Sequence, residues 1–192
     1  MPASLTRFAT EPARRAYVAA RVGHAEPELL FFEGDGRTPN SRFPVLLYRA
    51  ALLGQVDRAE AFEKRFAAHR WAPLWRDGVF DYHHYHASAH EALGVATGSA
   101  RLMLGGENGR EITVRAGDVL VLPAGTGHCC LEASEDFLVV GAYPRGQEAY
   151  DIQRAGTDRY LASVRRIAQV PTPVADPLTG RDGVLTQAWR VA

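Results

Sequence analysis

From about residue 78 to residue 143 the chain alternates short apolar runs with glycine-rich breaks. Alternation of this kind predicts β-strands with one face in a core, because successive side chains of a strand point to opposite faces. SARLMLGGE and REITV flank Asn108 and Gly109, the strongest short hairpin signal in the chain. DVLVLP and CCLEA follow, and after the acidic turn from Glu132 to Asp136 the run DFLVVGAY supplies a further strand. Glu91, Leu93 and Val95 form an inward set if a strand begins at Glu91. Successive hairpins predict an all-β fold, a double-sheet jelly roll.

The flanking segments carry other periods. DRAEAFEKRFAAHRW places Phe62 and Phe66 on one helical face, and Asp57 with Glu60 resembles a capping box. That helix is predicted to pack on the outside of the sheet. A second helix is predicted near Asp158 to Val170, with Leu161, Val164, Ile167 and Ala168 as its packing stripe. PTPVADPLTG then stops it and reads as an extended arm. Upstream, ELLFFEGDGRTPNSRFPVLLYRA reads as a further hairpin or edge strands, and ARRAYVAARVG, between Glu11 and Glu26, as a packed helix. With 192 residues, the chain suits one domain. The barrel is placed at about 78–143, N-terminal strands and a helix in 1–77, and a C-terminal helix and arm in 144–192.

Charge narrows the partners. Lys and Arg total 22, as do Asp and Glu, so no basic field exists to attract nucleic acid. No apolar run approaches the roughly 20 residues that cross a bilayer, and no signal-peptide core is present, so no membrane partner and a cytoplasmic location are expected. Cys129 and Cys130 are the only cysteines and are adjacent, a geometry that suits two free thiols.

The chemistry is concentrated in one segment. Of seven histidines, five are His83, His84, His86, His90 and His128. His84 and His86 share a strand face, while Pro123 and Gly125 make a tight turn that aims His128. Glu91 adds a hard oxygen, and three neutral imidazoles with a carboxylate suit a divalent first-row transition metal. Iron is the leading expectation, with manganese, nickel or zinc as alternatives. His83 alternates away from this face. His90 stands at a variant spacing from His86 and could replace Glu91 as ligand, although the spacing from Glu91 to Gly98 favours Glu91. Otherwise His90 would stand at the rim, bonding a ligand or substrate. Tyr82 is expected on the inward face, where its phenol could move a proton, and Phe80 as an apolar wall. Cys130 shares the side of His128 and is read as a small buried filler, with thiol ligation the alternative.

The spacings are Gly78-x5-His84-x-His86-x4-Glu91-x6-Gly98 and Gly117-x5-Pro123-x-Gly125-x2-His128. They resemble the two motifs of the cupin superfamily, with one departure: Glu132 stands where the family pattern has Asn. FFEGDGRTPNSRFPVLLY, HYHASAHEALGVATG, GGENG and DPLTGRDG, in that order, resemble a bacterial branch of single-domain cupins, the YjlB-like proteins. The resemblance implies a jelly-roll barrel holding a metal at His84, His86, Glu91 and His128, and it implies a homodimer. Apolar edges such as PELLFF or FPVLLYRA would be covered by the second subunit. The resemblance brings no established reaction with it. Four protein ligands on an octahedral ion leave two positions open, so a metal-dependent small-molecule oxidoreductase of the dioxygenase type is expected. The alternatives are a manganese- or zinc-dependent isomerase of a polar carbonyl compound, or a non-catalytic small-ligand binding protein.

Overall fold

The computed structural model describes residues 26–54 and 56–190. The helix expected at ARRAYVAARVG lies outside the described residues. Alternating sequence becomes two antiparallel sheets. The six-stranded sheet runs in the order β1 (Glu28–Leu30), β2 (Val45–Tyr48), β8 (Val119–Leu122), β5 (Glu91–Thr97), β10 (Leu138–Pro144), β3 (Trp71–Asp77). The five-stranded sheet runs β11 (Gln153–Arg154), β4 (His84–Tyr85), β9 (His128–Ala133), β6 (Ser99–Leu104), β7 (Arg110–Arg115). Three strands of the larger sheet therefore come from residues upstream of the motif segment.

The two sheets face each other over one apolar layer that includes Val45, Leu47, Leu93, Val95, Leu102, Leu104, Val114, Leu120 and Val139. The alternate residues of the larger sheet point outwards, yet they too are buried. Leu46, Ala92, Ala96, Val121, Val140 and Ala142 pack against α1 (Arg58–Ala68) and against the C-terminal segment. Two buried faces explain why VLLY and VLVL are continuous apolar runs, whereas REITV in the smaller sheet alternates cleanly with solvent.

Helix α1 forms where its sequence predicts, with the Asp57 half of the capping box in place and the Glu60 carboxylate paired with Lys64 at 2.7 Å. The Asp57 side chain accepts from the Glu60 backbone N–H at 2.9 Å, capping the first turn. Phe62 and Phe66 are fully buried, and each such ring contributes about 1.5–3 kcal/mol by leaving water. Phe62 lies directly on the backbone of β5: a Cβ on Gly94 would come within 2.7 Å of its ring.

Three expectations need correction. Asn108 and Gly109 do sit in the β6–β7 hairpin, but the loop spans residues 105–109, and its left-handed positions are Gly105 and Gly106. The helix expected over Asp158 to Val170 is shorter, α2 (Tyr160–Ile167), and only part of its stripe packs on the barrel: a Cβ on Gly125 would lie 2.7 Å from Ile167 Cδ1. Leu161 and Val164 remain exposed, and a further contact is made through buried Ser163, which accepts the Tyr85 hydroxyl at 2.9 Å. The proline-rich arm is not free either. Asp176 and Leu178 within it are fully buried, and Asp176 accepts from Tyr48 Oη and from the backbone of Leu178 and Leu185. A short helix that the pattern does not announce, α3 (Val184–Ala188), follows, and Trp189 beyond it donates to the Pro44 carbonyl.

Candidate metal centre

The ligand positions come from both sheets. His84 opens β4 and pairs directly with His128 at the start of β9. His86 follows two residues on, so its ring falls on the same side. Glu91 opens β5 in the opposite sheet. The turn ahead of His128 is tied down by backbone geometry. Gly125 adopts φ 93°, its N–H donates to the His86 carbonyl at 2.8 Å, and a Cβ there would lie 2.4 Å from the Asn40 carbonyl oxygen. Asn40 itself accepts from Gly127 N–H at 3.1 Å and donates to the carbonyls of Glu33 and Gly105.

One ring nitrogen from each of His84, His86 and His128 lies within 4.8 Å of the other two, close enough to share a metal ion, and all three residues are buried. Each ring holds a backbone carbonyl with its other nitrogen: His84 Nδ1 with Tyr82 O at 3.1 Å, His128 Nδ1 with Thr126 O at 3.0 Å, and His86 Nδ1 with Asp151 O. A carbonyl only accepts, so Nδ1 carries the proton in all three. With the rings neutral, the three Nε2 lone pairs converge. Glu91 stands beside this group of three, with Oε1 3.3 Å from His86 Nε2 and Oε2 3.3 Å from His128 Nε2. With Nε2 unprotonated these contacts set acceptor against acceptor, and Glu91 Oε2 is buried without a hydrogen-bond partner. An arrangement of buried acceptors all aimed inwards fits a cation.

The shifts divide within the group: burial would lower the His86 imidazole, but the adjacent Glu91 charge outweighs it and raises His86. Burial, and then the neighbouring His128 ring, hold the His84 imidazole down to about 3, so it is neutral at ordinary pH. Burial would raise the Glu91 carboxyl, but His86 and His128 outweigh it and keep the group well below the ordinary carboxylate range. Burial and the adjacent Glu91 charge push the Tyr143 phenol up, leaving it a protonated donor.

The centre opens onto a cavity of about 220 Å³ lined by His84, His86, Glu91 and His128 on one side and by Trp75, Val79, Phe80, Leu93, Tyr143, Tyr150 and Ile152 around it. Phe80 is thus an apolar wall. Tyr82 is not in this lining. The regular strand begins only at His84, so alternation does not extend back to Tyr82. Its ring lies 4.9 Å from Phe80 and 5.5 Å from His84, under the Arg154 guanidinium at 3.6 Å. His90 does not join the three imidazoles either. One residue before Glu91, it faces the other side of the sheet, with its ring 4.8 Å from Trp189 and Nδ1 accepting from Ala124 N–H at 2.9 Å. Burial holds it down to about 3, and it opens onto a different depression beside Phe43 and Ile167.

His83 is half-buried, outside both the imidazole group and the cavity lining. Cys130 packs beside the inter-sheet layer, outside the ligand group, and Cys129 and Cys130 are both free thiols. Glu132, the departure from the second motif, pairs with Arg101 at 3.3 Å on the exposed face of β9. The sequence reading missed Tyr143 and Tyr150. A signal for Tyr143 existed, since it stands at even spacing from inward Val139 in DFLVVGAY. Tyr150 lies in a loop, and periodicity says nothing about it.

A double-sheet barrel carrying three inward imidazoles that could hold a metal ion belongs to the class of cupin barrels. The family model described as cupin matches residues 78–162. The uncharacterised protein YjlB of Bacillus subtilis (strain 168) is 39% identical over 165 residues, which cover 85% of this chain and 97% of that protein. The chain therefore belongs to the cupins, as a YjlB-like member. Among solved structures, an uncharacterised conserved protein with a double-stranded β-helix domain from Klebsiella pneumoniae is 15% identical at a TM-score of 0.35, covering 81% of this chain and 97% of that one. Protein NMB1881 from Neisseria meningitidis is 16% identical at a TM-score of 0.30, covering 68% and 94%. Both are distant likenesses. Among the described residues, no helix is long and apolar enough to cross a membrane.

Proposed function

We propose that this cupin is a metal-dependent oxidoreductase of the dioxygenase type acting on a small molecule, with His84, His86, Glu91 and His128 as metal ligands. The observation that carries the reading is the shared orientation: three Nδ1–H groups fixed on carbonyls, three Nε2 atoms and a carboxylate facing one point. Iron, bound there as a divalent ion, would supply one-electron chemistry toward dioxygen. The chain's own contribution is orientation and shelter. The carbonyls of Tyr82, Asp151 and Thr126 lock the ring planes, and Trp75, Val79, Phe80 and Ile152 give the substrate space apolar walls that reduce access of water. Dioxygenation places both oxygen atoms in the substrate and consumes no external reductant.

The test is elemental mass spectrometry on untagged protein purified without added metal, followed by oxygen-uptake assays of the ferrous-reconstituted protein with a panel of small diols and ketones. Stoichiometric iron and substrate-dependent oxygen uptake, both lost in His128→Ala, are expected. Manganese or zinc with carbonyl isomerisation and no oxygen uptake would point to the isomerase instead, and ligand retention without turnover to a binding protein. Absence of any metal, on purification and after reconstitution, would sink the proposal. We also propose a homodimer in the cytoplasm. Leu29 in edge strand β1 and the adjacent Phe31 are 44% and 66% exposed, an apolar edge that pairing would cover.

A further inference from the structure

Glu91 has two oxygens, and their surroundings differ. Oε1 accepts the Tyr143 hydroxyl, while Oε2 is buried without a hydrogen-bond partner. The direction of the bond to Oε1 is set from behind. Trp75 Nε1, an indole N–H that can only donate, lies 3.1 Å from Tyr143 Oη, so the hydroxyl accepts from Trp75 and its own proton is directed to Glu91. Each ring is packed on one face. Tyr150 stacks on Tyr143 with centroids 3.9 Å apart and planes 7° apart, and the Trp75 indole lies so close over Gly141 that a Cβ there would sit 2.0 Å from it. Register makes the unit local, since Ala142 pairs with Ala92 and the next residues, Tyr143 and Glu91, come side by side.

We propose that Tyr143 is a positioning residue that confines Glu91 to ligation through Oε2 alone, and so keeps two coordination positions open for a substrate that chelates through two oxygens. This rests on the metal-dependent reading above. Three imidazole nitrogens and one carboxylate oxygen make four ligands, and a six-coordinate ion then has two positions left. A carboxylate released from Tyr143 can close on the ion with both oxygens, which removes one of them. The substrate class that follows is a small α-hydroxy ketone, enediol or catechol, two neighbouring oxygens on an apolar body that rests against Phe80, Leu93 and Ile152.

The full-length protein loaded with manganese(II) tests this without any turnover. Line broadening of its electron paramagnetic resonance spectrum by ¹⁷O-labelled water counts bound waters. Two are expected in the wild type, one in Tyr143→Phe, and two in Trp75→Phe, which loses the indole N–H but keeps the hydroxyl. Tropolone, a ring with two adjacent oxygens, should displace both waters from the wild type. Equal counts in the wild type and Tyr143→Phe would overturn the proposal. If Tyr143→Phe does not fold, the wild type decides alone: fewer than two waters, or tropolone displacing only one, overturns it. Failure of the wild type to bind manganese, or any other divalent ion tried, would overturn the metal reading itself, a result distinct from bound metal with the wrong water count.

Discussion

His86 and His90 are both buried and only four residues apart, yet they do opposite things. The ring of His86 turns into the barrel with its Nε2 facing Glu91, while His90 serves the outer face as an acceptor for Ala124 N–H. The consequence is measurable. His86→Ala and His128→Ala should lose stoichiometric metal, whereas His90→Ala should retain it and instead lose stability, by about 1–3 kcal/mol for the orphaned Ala124 N–H alone. Metal analysis and urea denaturation on the same preparations check both halves, and loss of metal in His90→Ala would contradict the assignment. At this scale the H-x-H spacing and the turn before His128 were legible because they depend on strand alternation and a two-residue turn. Tyr82 was misplaced because it precedes the point where the strand begins. Tyr143 stands beside Glu91, 52 residues away in sequence, by virtue of the pairing of β5 with β10.

Elements followed the pattern where one face was buried and one was wet. Helix α1 is the clear case, since Asp57, Phe62 and Phe66 each do what their spacing predicts. Phe62→Ala should cost about 3–5 kcal/mol, because the ring fills the space over Gly94 and the strand cannot rise to close it. Gly94→Val should likewise destabilise, through collision with the same ring. Denaturation midpoints with unchanged slopes would confirm loss of stability in the native fold. Helix α2 shows the limit. Leu161 and Val164 have the period of a packing stripe, but the barrel meets the helix at Ser163 and Ile167, and an apolar stripe does not name the surface it will meet. The arm ending in Leu178 reads as extended because of its prolines; its burial comes from Asp176, whose carboxylate gathers donors from Tyr48, Leu178 and Leu185.

Over the whole molecule, Asp151 links the candidate metal centre to the C-terminal region. Its carboxylate accepts from the backbone of Ala87 and Ser88 and from Ser88 Oγ, while its carbonyl fixes His86. Burial would raise the carboxyl, but the Ser88 and Gln153 bonds and the Arg166 charge bring it below its ordinary value of 3.8. A depressed folded-state value means that the stabilisation is fully present above about pH 4 and is lost as pH falls through the folded value. The stability difference between wild type and Asp151→Asn should therefore be constant near neutrality and shrink below pH 4; a difference that grew on acidification would refute this role. A metal that binds only the folded barrel should add about 2.7 kcal/mol at a hundredfold excess over its Kd, so chelation should lower Tm reversibly. The proposed dimer is checked by sedimentation, where Phe31→Lys should shift the wild-type dimer toward monomer.

Taken by itself, the sequence determined the fold class, the hairpin order, helix α1 and four candidate ligand positions, because each of these follows from alternation, capping or turn chemistry within a few residues. The tertiary structure decided what depends on distant segments meeting. It turned the three imidazoles to a shared orientation through the carbonyls of Tyr82, Thr126 and Asp151, and it placed Tyr143 and Trp75 behind Glu91. It also sent His90 to the far face. Local spacing sets which way a side chain points, but its partner is set by which strand lies alongside, and strand order is a property of the closed barrel.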